Sequence, residues 1–163
     1  MEHWHHSGQA LLDEISATQL PASQLAVWYV GQCGFIFKYE DTVVCIDPVL
    51  SDLTGPNGSR RHYPAPFAPE ALRADLVLCT HGHADHMAEA TLRGLAEHPN
   101  TRFIFPAGCV PLAQRYGVPA DRITAVQEGS VLPLGQVTVR AFSAAHPEHI
   151  LDTADPGMAL GYQ

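Results

Sequence analysis

The sequence predicts a layered α/β domain built on a mixed β-sheet. After a leading helix, short apolar runs of strand-like composition alternate with amphipathic helical stretches in the order β-β-β-α-β-α-β-α-β-β-β. This alternation is typical of helices packed on a sheet that contains both parallel and antiparallel strands. With 163 residues, 46% of them apolar and 16% charged, the chain is long and apolar enough to bury the core of one globular domain.

The N-terminal part predicts a helix followed by an antiparallel meander. Apolar side chains lie on one side of a helical pattern over Ser7–Leu20. Three short runs separated by turns then predict strands at Gln24–Val30, Cys33–Tyr39 and Thr42–Asp47. No helix follows the pair Gly31 and Gly34, so these glycines indicate a tight turn or a close approach of the backbone to a neighbouring segment rather than a phosphate loop.

The rest of the chain alternates helices and strands after one long loop. Pro48–Pro69 has no hydrophobic periodicity and many turn residues, which is typical of a functional loop. Helices are predicted at Pro69–Ala74, Met87–His98 and Val110–Tyr116. Strands are predicted at Asp75–Thr80, Arg102–Pro106, Ile123–Val126, Val131–Leu134 and Val137–Phe142. The last residues, Met158–Gln163, resemble the start of another strand.

A loop rich in histidine, Thr80-His81-Gly82-His83-Ala84-Asp85-His86, directly follows a buried apolar strand. On a helix, His81 and His83 would point in nearly opposite directions, whereas a loop that leaves a strand can turn its side chains toward one point. Neutral imidazole and carboxylate are ordinary ligands of zinc and neighbouring metals. The loop therefore predicts metal ligands at His81, His83, Asp85 and His86, and the alternative is a polar surface loop without a metal.

One more histidine follows the last predicted strand, in the segment Ser143-Ala-Ala-His146-Pro-Glu-His149. His146 stands at the carboxyl end of the strand beside small residues, which makes it a candidate third histidine ligand of one metal. Taken alone it would be an ordinary buried or loop histidine. His149 is the alternative candidate in the same segment.

Composition and charge narrow the class of protein. Nine basic residues against seventeen acidic ones give a net charge of −8, which disfavours nonspecific binding to nucleic acid. No apolar run approaches the roughly 20 residues of a membrane span, and the N-terminus lacks the pattern of a signal peptide. The four cysteines form no Cys-x-x-Cys pair, so we expect free thiols and a cytoplasmic protein.

The pattern His-x-His-x-Asp-His after a hydrophobic strand resembles the signature of the metallo-β-lactamase-fold hydrolases. Within this superfamily the chain is most similar to the L-ascorbate-6-phosphate lactonase-like branch of metal-dependent hydrolases. The similarity extends over nearly the whole chain and depends on the order and spacing of its motifs. These motifs are Leu12-x-Glu14-Ile15, Trp28-x-x-Gly31-x-x-Gly34, Val44-Cys45-Ile46-Asp47, Leu78-Cys79-Thr80-His81 through His86, Phe103-Ile104-x-Pro106 and Gly117-Val118-Pro119-x-x-Arg122.

The resemblance implies one or two divalent ions, zinc or manganese or iron, and a role for each candidate residue. Three histidines resemble one side of a binuclear centre, namely His81, His83 and His146. Asp85 and His86 resemble the beginning of the other side. Asp47 resembles the buried aspartate that lies behind the ligands and orients the metal loop, and the alternative for it is a simple turn at a strand end.

The resemblance also implies an incomplete domain. Complete members of this four-layer αββα fold contain two similar β/α halves, and the second half supplies a bridging aspartate and a final histidine. No Gly-Asp pair and no later histidine follow His149 in this sequence. We therefore expect the N-terminal half of a truncated, cleaved or incompletely recorded protein, with residues 1–23 as a helical extension and residues 24–163 as the first half. Such a chain is expected to associate with itself or with the missing C-terminal half.

The expected activity is metal-dependent hydrolysis of an ester, lactone or phosphoester, and a sugar-phosphate lactone is one candidate substrate. Asp85 is expected to orient a metal-activated water as well as to bind metal. In the long loop, Arg60 and Arg61 are candidates for binding a small anionic substrate, unless they are simply solvated charges. Two other interpretations remain, a phosphodiesterase or nuclease of the same fold and a non-catalytic metal-binding fragment that lacks the second half-site.

Overall fold

The helices and strands follow the chain order of a layered α/β domain in a computed structural model, which describes residues 6–53, 61, 63–145 and 159–163. The helices are α1 (Gly8–Ala17), α2 (Glu89–Leu95) and α3 (Val110–Arg115). The strands are β1 (Ala26–Gly31), β2 (Gly34–Tyr39), β3 (Thr42–Ile46), β4 (Leu76–Leu78), β5 (Arg102–Pro106), β6 (Ile123–Val126), β7 (Val131–Leu134), β8 (Val137–Ser143) and β9 (Leu160–Tyr162).

The first six strands form one mixed sheet in the order β1-β2-β3-β4-β5-β6. The meander from β1 to β3 is antiparallel, and β3 to β6 are parallel to one another. Parallel neighbours need a crossover connection, and α2 and α3 lie in the crossovers that precede β5 and β6. The predicted α/β class with a mixed sheet is thus confirmed. The strands β7, β8 and β9 form a second, antiparallel sheet, which the sequence did not separate from the first.

The central strands are buried on both faces. On one face, the three helices pack on the sheet through a cluster that includes Ile15, Leu92, Val77 and Phe103. On the other face, residues of β3 to β6 pack against the second sheet in a cluster with Leu78 and Leu160. Burial on both faces explains why these strands read as continuous apolar runs rather than as an alternating pattern.

Several predicted elements are shorter than the sequence suggested, and two of them are helices that follow the long loop. The predicted helix over Pro69–Ala74 is a single 3₁₀ turn at Pro69–Ala71. The predicted helix over Met87–His98 begins only at Glu89, because the amides of His86 and Met87 bond to the carbonyl of His83 in the preceding loop. Helical periodicity alone does not detect a competing turn of this kind.

Helix α1 is attached to the sheet by polar contacts as well as apolar ones. Lys38 is the chain's sole lysine and is only 4% exposed. Its Nζ donates to the carbonyls of Ile15 and Ser16 at 2.9 and 2.8 Å. These are carbonyls of the last turn of α1, where a helix lacks internal donors and favours a positive charge.

All four cysteines are free thiols, as expected, and three of them (Cys45, Cys79 and Cys109) are buried. Burial raises the pKa of Cys45 to about 12, and Asp75 adds to the effect. In the part of the chain that the structure describes, no helix has the length and apolar character required to cross a membrane.

Candidate metal centre

The histidine loop starts at the carboxyl end of β4, beside the carboxyl end of β3. Asp47 directly follows β3, and its amide donates to the carbonyl of Leu78 at 2.9 Å. Its φ of 47° lies in the left-handed region, which aspartate tolerates better than most residues. The carboxyl ends of neighbouring parallel strands are the usual position of binding sites in α/β sheets.

The carboxylate of Asp47 holds the loop by three hydrogen bonds. Oδ1 accepts from the amide of Thr80 at 2.7 Å, and Oδ2 accepts from the Thr80 hydroxyl at 2.8 Å. The same Oδ2 lies 2.9 Å from Nδ1 of His86. Because Asp47 is only 4% exposed, these bonds form in a region of low dielectric, where they are stronger than in water.

The network defines which nitrogen of each histidine faces the site. A carboxylate can only accept, so Nδ1 of His86 carries the proton that bonds to Asp47 and Nε2 keeps its lone pair. The Thr80 hydroxyl donates its one proton to Asp47, so at 3.0 Å it accepts from Nδ1 of His81. Nε2 of His81 then also keeps its lone pair. Both Nε2 atoms therefore have the electronic state that a metal requires.

The loop places the rings of its three histidines side by side. The ring centroids of His81 and His86 are 4.0 Å apart, and those of His81 and His83 are 4.7 Å apart. Nε2 of His86 lies 3.8 Å from Oδ2 of Asp85. Imidazole and carboxylate are ligands that suit zinc, manganese or iron, so the donor chemistry of the loop is compatible with the metal centre that the sequence predicts.

The electrostatics of His86 reflect its two acidic neighbours. Burial alone would lower the pKa of this imidazole, but the hydrogen bond to Asp47 and the charges of Asp47 and Asp85 outweigh burial and raise it. When the neutral His86 ring takes up a second proton, on Nε2, the same carboxylates stabilise the resulting cation. A metal ion would compete with that proton.

Sequence reasoning missed one residue at this site, Cys33, which lies at the tip of the β1–β2 hairpin. Its Sγ, a carboxylate oxygen of Asp85 and a ring nitrogen of His86 all lie within 4.8 Å of one another. Partial burial raises the pKa of the Cys33 thiol, and the charges of Asp85 and Asp47 add to the rise. The Gly31-x-x-Gly34 pattern indicated the turn, but nothing local indicated that the turn faces the loop.

Of the two arginines predicted to bind substrate, the structure describes only Arg61. Arg60 lies outside the described residues. The guanidinium of Arg61 donates to the carbonyls of Val30 at 2.7 Å, Tyr63 at 3.2 Å and Val49, and burial lowers its pKa. These contacts tie the long loop to the end of β1, so they favour a structural role for Arg61 rather than the predicted role in anion binding.

The second sheet also reaches the histidine loop. The amide of Leu160 in β9 donates to the carbonyl of Thr80 at 2.9 Å. The hydroxyl of Tyr162 donates to the carbonyl of Cys79, also at 2.9 Å. Just after β8, the amide of Ala144 bonds to the carbonyl of Ala159 at 3.2 Å. The predicted ligand His146 follows Ala144 in the sequence but lies outside the described residues, as does His149.

Comparison with known families agrees with this arrangement. The family model described as a beta-lactamase superfamily domain matches residues 42–163, which include β3 and the whole histidine loop. The chain belongs to the beta-lactamase superfamily. Its two sheets with helices on the outer face of one of them correspond to part of the metallo-β-lactamase fold.

Similar proteins include both a curated relative and solved structures. A Salmonella heidelberg (strain SL476) protein named as a probable L-ascorbate-6-phosphate lactonase is 31% identical over 166 aligned positions, covering 84% of this chain and 46% of the relative. The diiron β-hydroxylase CmlA from Streptomyces venezuelae is 26% identical with a TM-score of 0.62, covering 88% of this chain and 27% of the hydroxylase. An isothiocyanate hydrolase from Delia radicum gut bacteria is 18% identical and shares the fold with a TM-score of 0.62. The match covers 86% of this chain and 58% of the hydrolase.

The structural neighbours include a hydroxylase and a hydrolase, so the shared fold is one that enzymes use. The chain spans 35% to 46% of the length of the curated relatives that it matches.

Proposed function

We propose that the protein is a metal-dependent hydrolase of small anionic esters or lactones and that the histidine loop is its metal centre. The observation that carries this proposal is the Asp47–Thr80–His86 network. It leaves a lone pair on Nε2 of both His81 and His86, within one short loop. A surface loop without a ligand would have no reason to fix two imidazole tautomers in this way.

Two metal positions would share the loop. His81 and His83 would bind one ion, and we propose His146 as its third histidine on the basis of the family resemblance. Asp85 and His86 would bind the other ion. Zinc, manganese and iron all suit such donors. A bound divalent ion would supply a water of lowered pKa at neutral pH and would stabilise negative charge on the substrate.

The residues of this chain would contribute positioning and proton control. Asp85, whose carboxylate is half exposed, would orient the attacking water from the open side of the site. Asp47 would keep His86 in the tautomer that leaves Nε2 unprotonated. Thr80 would do the same for His81 through the hydroxyl contact at 3.0 Å.

The proposed substrate class follows from charge and from the family. The net charge of −8 disfavours long polyanions such as nucleic acid, which bind by phosphate neutralisation. A small substrate with one anionic group can still bind, because metal ions in the site would neutralise the charge of that group. Similarity to the lactonase relative makes a sugar-phosphate lactone the first substrate to test.

The test is hydrolysis of a panel of sugar lactones, sugar-phosphate lactones and small phosphodiesters by the protein supplied with zinc or manganese. The double variant His83→Ala, Asp85→Ala should abolish turnover. The matched control His98→Ala removes an imidazole that bonds only to the carbonyl of Glu70 among its described contacts, and it should leave turnover unchanged. Turnover that survives the double variant, or no metal-dependent turnover on any panel member, would contradict the proposal.

A further inference from the structure

A glycine lets the end of the β1–β2 hairpin approach the carboxyl end of β3. The hairpin closes at the paired residues Gly31 and Gly34, with Gln32 and Cys33 between them. A Cβ atom on Gly34 would lie 3.0 Å from the carbonyl oxygen of Asp47 and 3.0 Å from Val30. Glycine at this position therefore lets the hairpin approach the strand end that carries Asp47.

Asp47 thus lies beside two segments that are distant in the sequence. Its side chain holds the histidine loop, and its carbonyl lies close to Gly34 in the hairpin that presents Cys33. This arrangement brings the Cys33 thiol close to Asp85 and His86.

The spacing of the three side chains fits one metal ion. Sγ of Cys33, an oxygen of Asp85 and a nitrogen of His86 lie within 4.8 Å of one another. Around a tetrahedral zinc with bonds of about 2.0–2.3 Å, neighbouring donor atoms lie about 3.3–3.7 Å apart. Small rotations of the Cys33 and Asp85 side chains would bring the donor atoms from their present spacing to this shorter one.

We propose that Cys33 is the third protein ligand of the metal position formed by Asp85 and His86. The inference rests on the proposed metal centre and adds a ligand that the histidine motif does not contain. On binding, the S–H bond breaks, the proton passes to solvent and the thiolate forms a bond to the metal ion. A thiolate ligand favours zinc or iron over manganese at this position, so the inference also narrows the choice of metal.

Cobalt(II) titration of the protein tests the proposal without any assay of activity. Cobalt in a zinc-like site absorbs in the visible region, and a thiolate ligand adds a charge-transfer band in the near ultraviolet. The wild-type chain should show both absorptions. Cys33→Ser should lose the near-ultraviolet band and keep the visible one, whereas the control Cys45→Ala removes a buried thiol of β3 and should keep both.

The outcomes separate this inference from the proposed function. Visible bands without a charge-transfer band in the wild type, or a charge-transfer band that persists in Cys33→Ser, would overturn the role of Cys33 and leave the metal centre standing. No cobalt absorption in the wild type would overturn the metal centre and the inference together.

Thiol reactivity provides a second measurement on the native protein. Of the four cysteines, Cys33 is exposed and the other three are buried, so an aromatic disulfide reagent should react with one thiol per chain. Zinc at about ten times its dissociation constant should slow that reaction about tenfold by mass action. The protection should disappear in Asp85→Ala. A rate that zinc leaves unchanged in a chain that binds zinc would contradict ligation by Cys33.

Discussion

Nδ1 of His86 lies 2.9 Å from Oδ2 of Asp47, although the two residues are 39 positions apart in the sequence. The contact joins the end of β3 to the end of the histidine loop. It also determines which nitrogen of His86 is available to a ligand. A carboxylate that orients a metal-binding histidine in this way affects affinity without touching the metal.

Replacing Asp47 with asparagine should weaken zinc binding about 10- to 100-fold. The variant keeps the shape of the side chain but loses the charge and one of the two acceptor oxygens. Competition with a chromophoric chelator measures the change. Asp75→Asn is the matched control, because Oδ2 of Asp75 accepts from the amide of Val43 at 2.8 Å near the start of β4, away from the loop. Equal weakening by both variants would contradict the specific role of Asp47.

The metal-free protein should lose the stabilising contribution of His86 as the pH rises above the unfolded-state pKa of histidine, about 6.5. Its pKa is raised in the folded protein, so its stabilising contribution is fully present below the unfolded-state pKa. That contribution disappears as the pH rises through the folded-state pKa. In urea unfolding, the free energy of unfolding of the wild type should exceed that of His86→Gln by an amount that shrinks as the pH rises. An advantage that stays constant with pH would show that the pair does not titrate as inferred.

Replacing Lys38 with methionine should lower the free energy of unfolding by about 2 kcal/mol, the typical scale for hydrogen bonds that involve a charged group. The variant leaves the carbonyls of Ile15 and Ser16 without their buried donor. Urea unfolding measures the loss. Arg73→Met, which removes an exposed cation, should change stability by less than about 0.5 kcal/mol. A similar small change for Lys38→Met would contradict the capping role.

One face of the first sheet remains exposed at β1 and β2. Val27, Tyr29 and Phe35 are exposed apolar residues there, and the rings of Tyr29 and Phe35 are 5.3 Å apart. The second sheet covers β3 to β6 instead, and β9 is its last strand among the described residues. Exposed apolar patches and open sheet edges promote association. We therefore expect the purified protein to self-associate through this face.

Sedimentation velocity over a range of protein concentrations measures this association. The double variant Tyr29→Ser, Phe35→Ser should shift the protein toward monomer. Val131→Ser, which changes an exposed apolar residue of β7, should have little effect. A wild-type protein that stays monomeric at every concentration would contradict the expectation.

Much of the fold was predictable because its signals are local. The buried strands read as continuous apolar runs, and the histidine loop is one contiguous motif at a strand end. The separation of β7, β8 and β9 into a second sheet was not predictable, because a hairpin has the same pattern in either sheet. The division between sheets depends on packing against Leu78 and its neighbours.

The contacts at the site that the sequence did not predict have the same explanation, because they join distant segments. Arg61 looked like a free cation in a polar loop, but its partners are carbonyls far along the chain at Val30 and Val49. Cys33 was predicted only to be a free thiol, yet it lies close to Asp85 and His86. Contacts of this kind depend on how distant segments meet, and no periodicity or motif encodes that directly.

The central claim is that the loop from His81 to His86 holds a metal ion, and metal analysis tests it most directly. The protein would be loaded with zinc, passed through a desalting column and analysed for metal per chain. We predict at least one zinc ion per wild-type chain and a loss of that ion in the double variant His83→Ala, Asp85→Ala, with His98→Ala unchanged. No retained zinc in the wild type, or equal zinc in the wild type and the double variant, would contradict the claim.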